Sequence, residues 1–368
     1  MNQEFVLGKL SELMEWDDVR SRAEFAWLRL MSRMKYDGYQ EFLAGMRFIE
    51  SLTDWLQQFI RPEHREVAYR FIREHLVFVS SAEMHHLVEL FYPETVQPRL
   101  LQRVAELQGI PQYRVWADKA AIAAFRTLLR KTLFIELSDG GRIDIFRRAN
   151  AGVIMHEQIV TAPRINKEKW TELLADLRKT TGNPADRFAF VFLVDDFTAS
   201  GATLLRLEGE KWTGKLWRFW EDMSKETTAH FEDDWTLCVH HYIATEQAVK
   251  SVDERDAAVR KALGPSGWFT KKIEMSFGMR LDREFSVTAS SDPDLVELIE
   301  SYYDDAIETE SMKKGGRNAR YGFGQCGLPL VLDHNTPNNA IALLWAESAG
   351  TGGKHPMRPL FRRRQRHN

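Results

Sequence analysis

The segment FAFVFLVDDFTASGATLLR, residues 188–206, divides into two halves of opposite character. Phe188 to Val194 is an unbroken apolar run, the pattern of a strand buried on both faces in a parallel sheet. Two carboxylates follow, Asp195 and Asp196, and then a loop of small and hydroxylic residues, Thr198, Ala199, Ser200, Gly201, Ala202 and Thr203. A helix is expected from about Ala202. This order places two acids at the carboxyl end of a sheet, where open α/β proteins put their ligands. The loop amides and the helix start then form an anion cradle. Gly201 lets the backbone approach the anion, and Thr198, Ser200 and Thr203 add hydroxyls. Carboxylates that accept from sugar hydroxyls, beside a phosphate cradle, suit a sugar phosphate.

Two rival readings fit less well. An apolar run ending in acids also describes a Walker B strand, which needs a P-loop. The nearest candidate, Gly209 to Leu216, lies downstream in an expected helix and has Leu216 where Ser or Thr should stand. A response-regulator acid pair sits near the start of its domain and lacks a following phosphate loop.

The segment resembles the phosphoribosyl diphosphate (PRPP) binding motif of type I phosphoribosyltransferases. That resemblance implies PRPP as ligand and Mg²⁺ as cofactor, the ion being carried by diphosphate and ribose. Asp195 and Asp196 would hold the ribose hydroxyls and Thr198 to Thr203 the 5′-phosphate. It also implies a diphosphate loop on an earlier strand. Thr132 to Leu137 is a short apolar run leading into Ser138, Asp139, Gly140, Gly141 and Arg142. The glycines can expose backbone N–H groups, and Arg142 can pair with diphosphate through its planar fork; the same residues also make an ordinary tight turn.

With 368 residues the chain can bury a large core and form two domains. A net charge of −3 gives no global nucleic-acid or membrane signal. The two cysteines, Cys238 and Cys326, lack metal-ligand spacing and read as free thiols. No signal peptide or membrane span is found, so a reducing cytoplasm is expected. Arg358, Arg362, Arg363, Arg364 and Arg366 cluster at the end. They suit either nucleic-acid phosphates or a solvated terminus.

Residues 1–131 read as a helical region, 132–348 as a doubly wound parallel α/β domain, and 349–368 as a basic, flexible tail. In the first region Tyr36 to Ile60 has helical spacing, Ser80 and Glu83 form a capping box, and Pro93 closes that helix. In the second, strands are expected at Gly152–Val160, Trp235–Ala244, Lys272–Phe277 and Leu328–Leu332. Helices are expected at Lys167–Lys179, Leu204–Lys225, Glu246–Leu263 and Asp294–Tyr303. Such alternation argues for a doubly wound sheet. His156 is either a diphosphate contact or a structural residue. The resemblance places a mobile hood loop near Ala162 to Lys169. The last strand ends in Asp333-His334-Asn335-Thr336-Pro337-Asn338-Asn339. His334, Asn335, Asn338 and Asn339 either read the edge of a base or form a strand-to-helix turn.

Together, SDGGR, VDDFTASGAT and LPLVLDHNTPNN are similar to phosphoribosyltransferase-like proteins of bacterial conflict and anti-phage loci, some retrons included. This implies an effector accompanied by a reverse transcriptase with its RNA and DNA, or by another defence protein, with the oligomeric state left open. The site then either transfers phosphoribosyl, cleaves at ribose C1, or senses PRPP or a nucleotide without turnover.

Overall fold

The computed structural model describes residues 3–40, 42, 47–161, 165–226, 228–264, 267–269, 273–309, 312, 318–350 and 352–363. The chain forms two compact units, residues 1–84 with 282–368, and residues 85–281. The units are drawn differently from the division at 132 and 348, because the carboxyl-terminal residues pack with the amino-terminal helices.

In the first unit, helices Gln3–Leu13, Phe48–Gln57, Pro62–Glu74 and Pro293–Tyr302 bury apolar stripes in one core. β1 (Val77–Val79) pairs in parallel with Leu330–Leu332 near the end of the chain. That late strand was expected in the large sheet; its apolar run lacks any mark of which sheet it joins. The expected helix from Tyr36 to Ile60 is a 3₁₀ turn, Tyr36–Gly38, and a helix, Phe48–Gln57, with residues 41 and 43–46 outside the described set. Nor is the tail loose through residue 363. Leu360 and Phe361 are fully buried, and Phe361 packs on Tyr39, Phe48 and Phe78. Two apolar residues among arginines anchor the segment, while residues 364–368 lie outside the described set.

The boundary between the units falls within helix Ser81–Leu90. Its capping box is made: Ser80 N–H donates to Glu83 Oε2 at 2.8 Å, and Glu83 N–H to Ser80 Oγ at 3.3 Å. Pro93 does not end the helical path. Phe91–Val96 widens into a π-helical stretch and continues into Gln97–Gln108, a form that tolerates the missing proline N–H.

The second unit holds a five-stranded parallel sheet made of β2 (Thr132–Glu136), β3 (Ile159–Val160), β4 (Phe188–Thr198), β7 (Phe231–Thr245) and β8 (Glu274–Leu281). The order β3-β2-β4-β7-β8 reverses direction between β2 and β4, which makes that gap the topological switch point. On one face Leu133, Ile135, Val191, Leu193 and Val239 share a core with Trp170, Leu177, Leu216 and Phe219. Each fully buried side chain of this kind contributes about 1.5–3 kcal/mol. The opposite face is aromatic: Phe134 stacks on Phe192 at 5.5 Å, and Phe91 on His240 at 4.1 Å. Both faces are covered, which is why the strands read as continuous apolar runs.

Two expected elements take another form. Gly152–Val160 is a strand only at Ile159–Val160. Before it, Gly152 adopts φ +81° and the Gln158 side chain accepts from Met155 N–H at 3.0 Å, curling the chain into turns. Leu204–Lys225 is not one helix. It is an antiparallel hairpin, β5 (Arg206–Glu208) with β6 (Lys211–Thr213), and then helix Lys215–Glu226. Gly209 (φ +60°) and Gly214 (φ +122°) impose the break.

Candidate functional site

β2 ends at Glu136, opposite Val194, and Leu137 N–H donates to Val194 O at 2.9 Å. β4 runs on from Asp195 to Thr198 with β7 still beside it, Asp195 facing His241. The acid pair therefore lies inside a strand that has lost one neighbour. The 3₁₀ turn Asp139–Gly141 follows β2 at this point. The SDGGR loop and the acid pair, distant in sequence, meet at the switch point.

Asp195 is 2% exposed. Its Oδ1 accepts from Ser138 Oγ and from Asp196 N–H, and its Oδ2 pairs with Lys215 Nζ. Burial pushes its carboxyl up to about 6, with Lys215 opposing the shift and Asp196 adding to it. Asp196 is half-buried, and its Oδ1 accepts from Phe197 N–H at 2.8 Å. Gly140 lies directly against the Asp196 carboxylate, and Gly141 is pressed between Glu136 and Val194 O. Arg142 adopts the left-handed region at φ +49°, and its carbonyl accepts from Ile145 N–H and Phe146 N–H as helix Ile143–Ala149 begins.

A loop leaves β4 after Thr198, as expected, but no helix follows it at Ala202. Leu204 and Leu205 N–H turn back to Gly201 O at 3.2 and 3.1 Å, and the chain then enters the hairpin. A helix dipole at Ala202 is thus absent from this loop. Helix Glu246–Leu263 and its cap support the loop instead. Thr245 Oγ1 donates to Ala199 O at 2.5 Å. Arg255 Nη1 donates to Ser200 O at 3.2 Å and Leu205 O at 3.0 Å. Gly201 has φ +68°, and a Cβ there would stand 2.8 Å from Val252 Cγ2. Its lack of a side chain thus serves contact with that helix. Thr198 and Ala199 are buried, Ser200 and Ala202 half-buried, and Thr203 exposed.

Sequence reading missed several residues here. Glu136 is 8% exposed. Burial pushes its carboxyl up to about 7, the Ile143 N–H opposes this, and Asp139, Asp144 and Asp195 add to it. As the first charge after an apolar strand, it carried the same signal as Asp195. Lys215, Thr245 and Arg255 carried none, since each arrives through tertiary packing. The hydroxyls of Thr198 and Tyr242 are buried without hydrogen-bond partners among the described residues. Burial raises the Tyr242 phenol, with Glu136 and Asp196 adding to the shift. His241 is held neutral, lowered to about 3 by burial and then by Lys215, against the pull of Asp196.

Other candidates fall elsewhere. His156 precedes β3, at the amino end of the sheet, opposite the acid pair. Of the expected hood loop, residues 162–164 lie outside the described residues, and Lys167–Lys169 open a helix capped by Asn166. His334, Asn335, Asn338 and Asn339 belong to the other unit. There the Asn339 amide donates to Phe323 O at 2.8 Å, Asn338 O accepts from Phe323 N–H at 2.7 Å, and His334 Nδ1 lies 3.1 Å from Asp333 Oδ1.

The model of the PRTase-CE family matches residues 52–363. The chain belongs to the PRTase-CE family. This is a phosphoribosyltransferase-like family, and the match reaches from helix Phe48–Gln57 to the last described residue. No curated protein and no solved structure matches the chain. In this PRTase-CE chain the doubly wound sheet, the two loops and the acid pair share one unit. Among the described residues, no helix is long and apolar enough to cross a membrane.

Proposed function

We propose that this PRTase-CE protein binds PRPP and uses it as an effector in bacterial anti-phage defence, transferring the phosphoribosyl group or cleaving at ribose C1. The observation that carries this reading is the meeting of Ser138 with Asp195 across the switch point. A loop able to face diphosphate stands beside acids able to accept from ribose hydroxyls, with a hydroxyl-lined loop continuing from them. The defence setting rests on the resemblance to proteins of anti-phage loci, which also suggests a reverse transcriptase with its nucleic acid, or another defence protein, as partner.

Among the described residues, no three His, Cys, Asp or Glu side chains form a group that could hold a metal ion. A Mg²⁺ ion would be brought in on diphosphate and ribose oxygens, as small hard cations are carried with phosphates. Bound there, it would neutralise charge on the leaving diphosphate.

The chain's own part is positioning and electrostatics. In the reaction, the C1–O bond to diphosphate breaks and its electron pair leaves with the diphosphate. The acceptor, or water, then bonds to C1. The acid pair fixes the ribose hydroxyls and stabilises positive charge developing on the ring. Arg255 and Thr245 hold the phosphate loop in place before ligand arrives, which lowers the cost of ordering it. Arg142 would meet the diphosphate.

The test is calorimetric titration of PRPP with Mg²⁺ into the full chain, with diphosphate release followed in the same sample. Binding with release is the expected result. Binding without release, retained when acceptor bases and nucleic acid are supplied, would favour the non-catalytic sensor. Absence of binding would overturn the reading.

A further inference from the structure

The Lys215–Asp195 pair is built from two directions. Lys215 N–H donates to Thr203 O at 2.9 Å, and Leu216 N–H to Leu204 O at 2.9 Å, so the start of this helix is fastened to the end of the phosphate loop. Gly214 makes that contact possible. Its φ is +122°, and a Cβ there would stand 2.7 Å from the Leu204 carbonyl carbon. From this anchor the Lys215 side chain, 20% exposed, reaches the Asp195 carboxylate, 3% exposed. With Ser138 on the other oxygen, the chain's own groups occupy both oxygens of the acid that the proposed function assigns to sugar hydroxyls.

A carboxylate this deeply buried stays ionised at little cost only while a cation or good donors face it. A neutral sugar brings hydroxyl donors and no anion to draw off the ammonium. Bare phosphate attracts the ammonium but brings no donor to Asp195 Oδ2, which Lys215 leaves behind, while Ser138 and Asp196 N–H serve Oδ1 alone. A sugar phosphate supplies both in one molecule, so the exchange of partners can balance.

We propose that Lys215 is a ligand-operated latch: a phosphate of the incoming sugar phosphate takes its ammonium, and Asp195 turns to the sugar hydroxyls. The latch rests on the PRPP-site reading and deepens it, because it couples recognition of phosphate to recognition of sugar. The pair is the closed form, and the phosphate loop beside it receives the displaced lysine.

The experiment compares PRPP with Mg²⁺ binding to the unsubstituted chain, Lys215→Gln and Lys215→Arg. Gln can still donate to Asp195 but cannot pair with phosphate as a cation, so affinity is expected to fall about 10- to 100-fold. Arg keeps the charge and should restore most of that loss. In parallel, ¹³C-dimethylated lysines of the unsubstituted chain are followed by NMR. The Lys215 signal should move with PRPP and with ribose 5-phosphate, and stay in place with ribose alone. A variant Lys215→Gln that binds PRPP as tightly as the unsubstituted chain overturns the latch and leaves the proposed function standing. So does a Lys215 signal that does not move at saturating PRPP, a readout that survives if the variants fail to fold. No PRPP binding by the unsubstituted chain overturns both.

Discussion

A Cβ placed on Gly140 would stand 2.5 Å from Cγ of Asp196. Gly140→Ala would push the Asp196 side chain aside, because the obstacle is the end of a short side chain that can rotate. Stability should change by no more than about 1 kcal/mol, while PRPP affinity should fall about 10- to 100-fold through misplacement of the acid. The neighbouring Gly141→Ala meets backbone, Val194 O at 2.9 Å. It should cost about 1–3 kcal/mol of stability. Urea titration and calorimetry of both variants separate the two effects.

Asp195→Asn combined with Asp196→Asn should abolish PRPP binding in a protein that still folds. Lys215 is partly exposed and can turn to water when its partner loses charge. Circular dichroism establishes folding and calorimetry reads affinity; a folded double variant with unchanged affinity would remove the acid pair from the site.

Glu136→Gln should stabilise the ligand-free protein at pH 8 and have little effect at pH 5. The folded carboxyl titrates at about 7, above its ordinary value of 4.5. Its favourable contribution is therefore complete below pH 4.5 and is lost as pH rises through about 7. The gain at pH 8 is on the order of 2 kcal/mol. Urea titrations at the two pH values measure it, and equal effects at both would show that Glu136 is not the group that titrates.

Arg255→Met should loosen the loop that follows β4. It removes the hydrogen bonds to Ser200 O and Leu205 O and should cost about 1–3 kcal/mol. Hydrogen exchange at Leu204 and Leu205, whose N–H groups turn back to Gly201 O, should quicken more than in β4. Exchange that rises uniformly through the unit would point to general destabilisation instead.

Much of the sheet was legible because its strands are short apolar runs bounded by turns. The helix at Glu246–Leu263 was read to the residue, and the strand carrying Asp195 to within its apolar core. Errors came where local pattern has two solutions. The apolar residues after Thr203 suit a helix as well as a hairpin, and only glycines at positive φ decide between them. Similarly, Leu330–Leu332 is apolar enough for the large sheet, yet it pairs with Val77–Val79.

By itself the sequence determined an apolar strand running into Asp195 and Asp196, a small-residue loop after them, and a glycine loop after an earlier strand. These are properties of neighbouring residues, set by burial and backbone freedom. Tertiary structure alone decided what faces Asp195. Ser138 comes from 57 positions away and Lys215 from 20. It likewise decided that Arg255, on a helix beyond β7, would hold the loop after β4. Hydrophobic periodicity fixes which face of a strand is buried, whereas the partner of a buried charge depends on which strand ends adjoin.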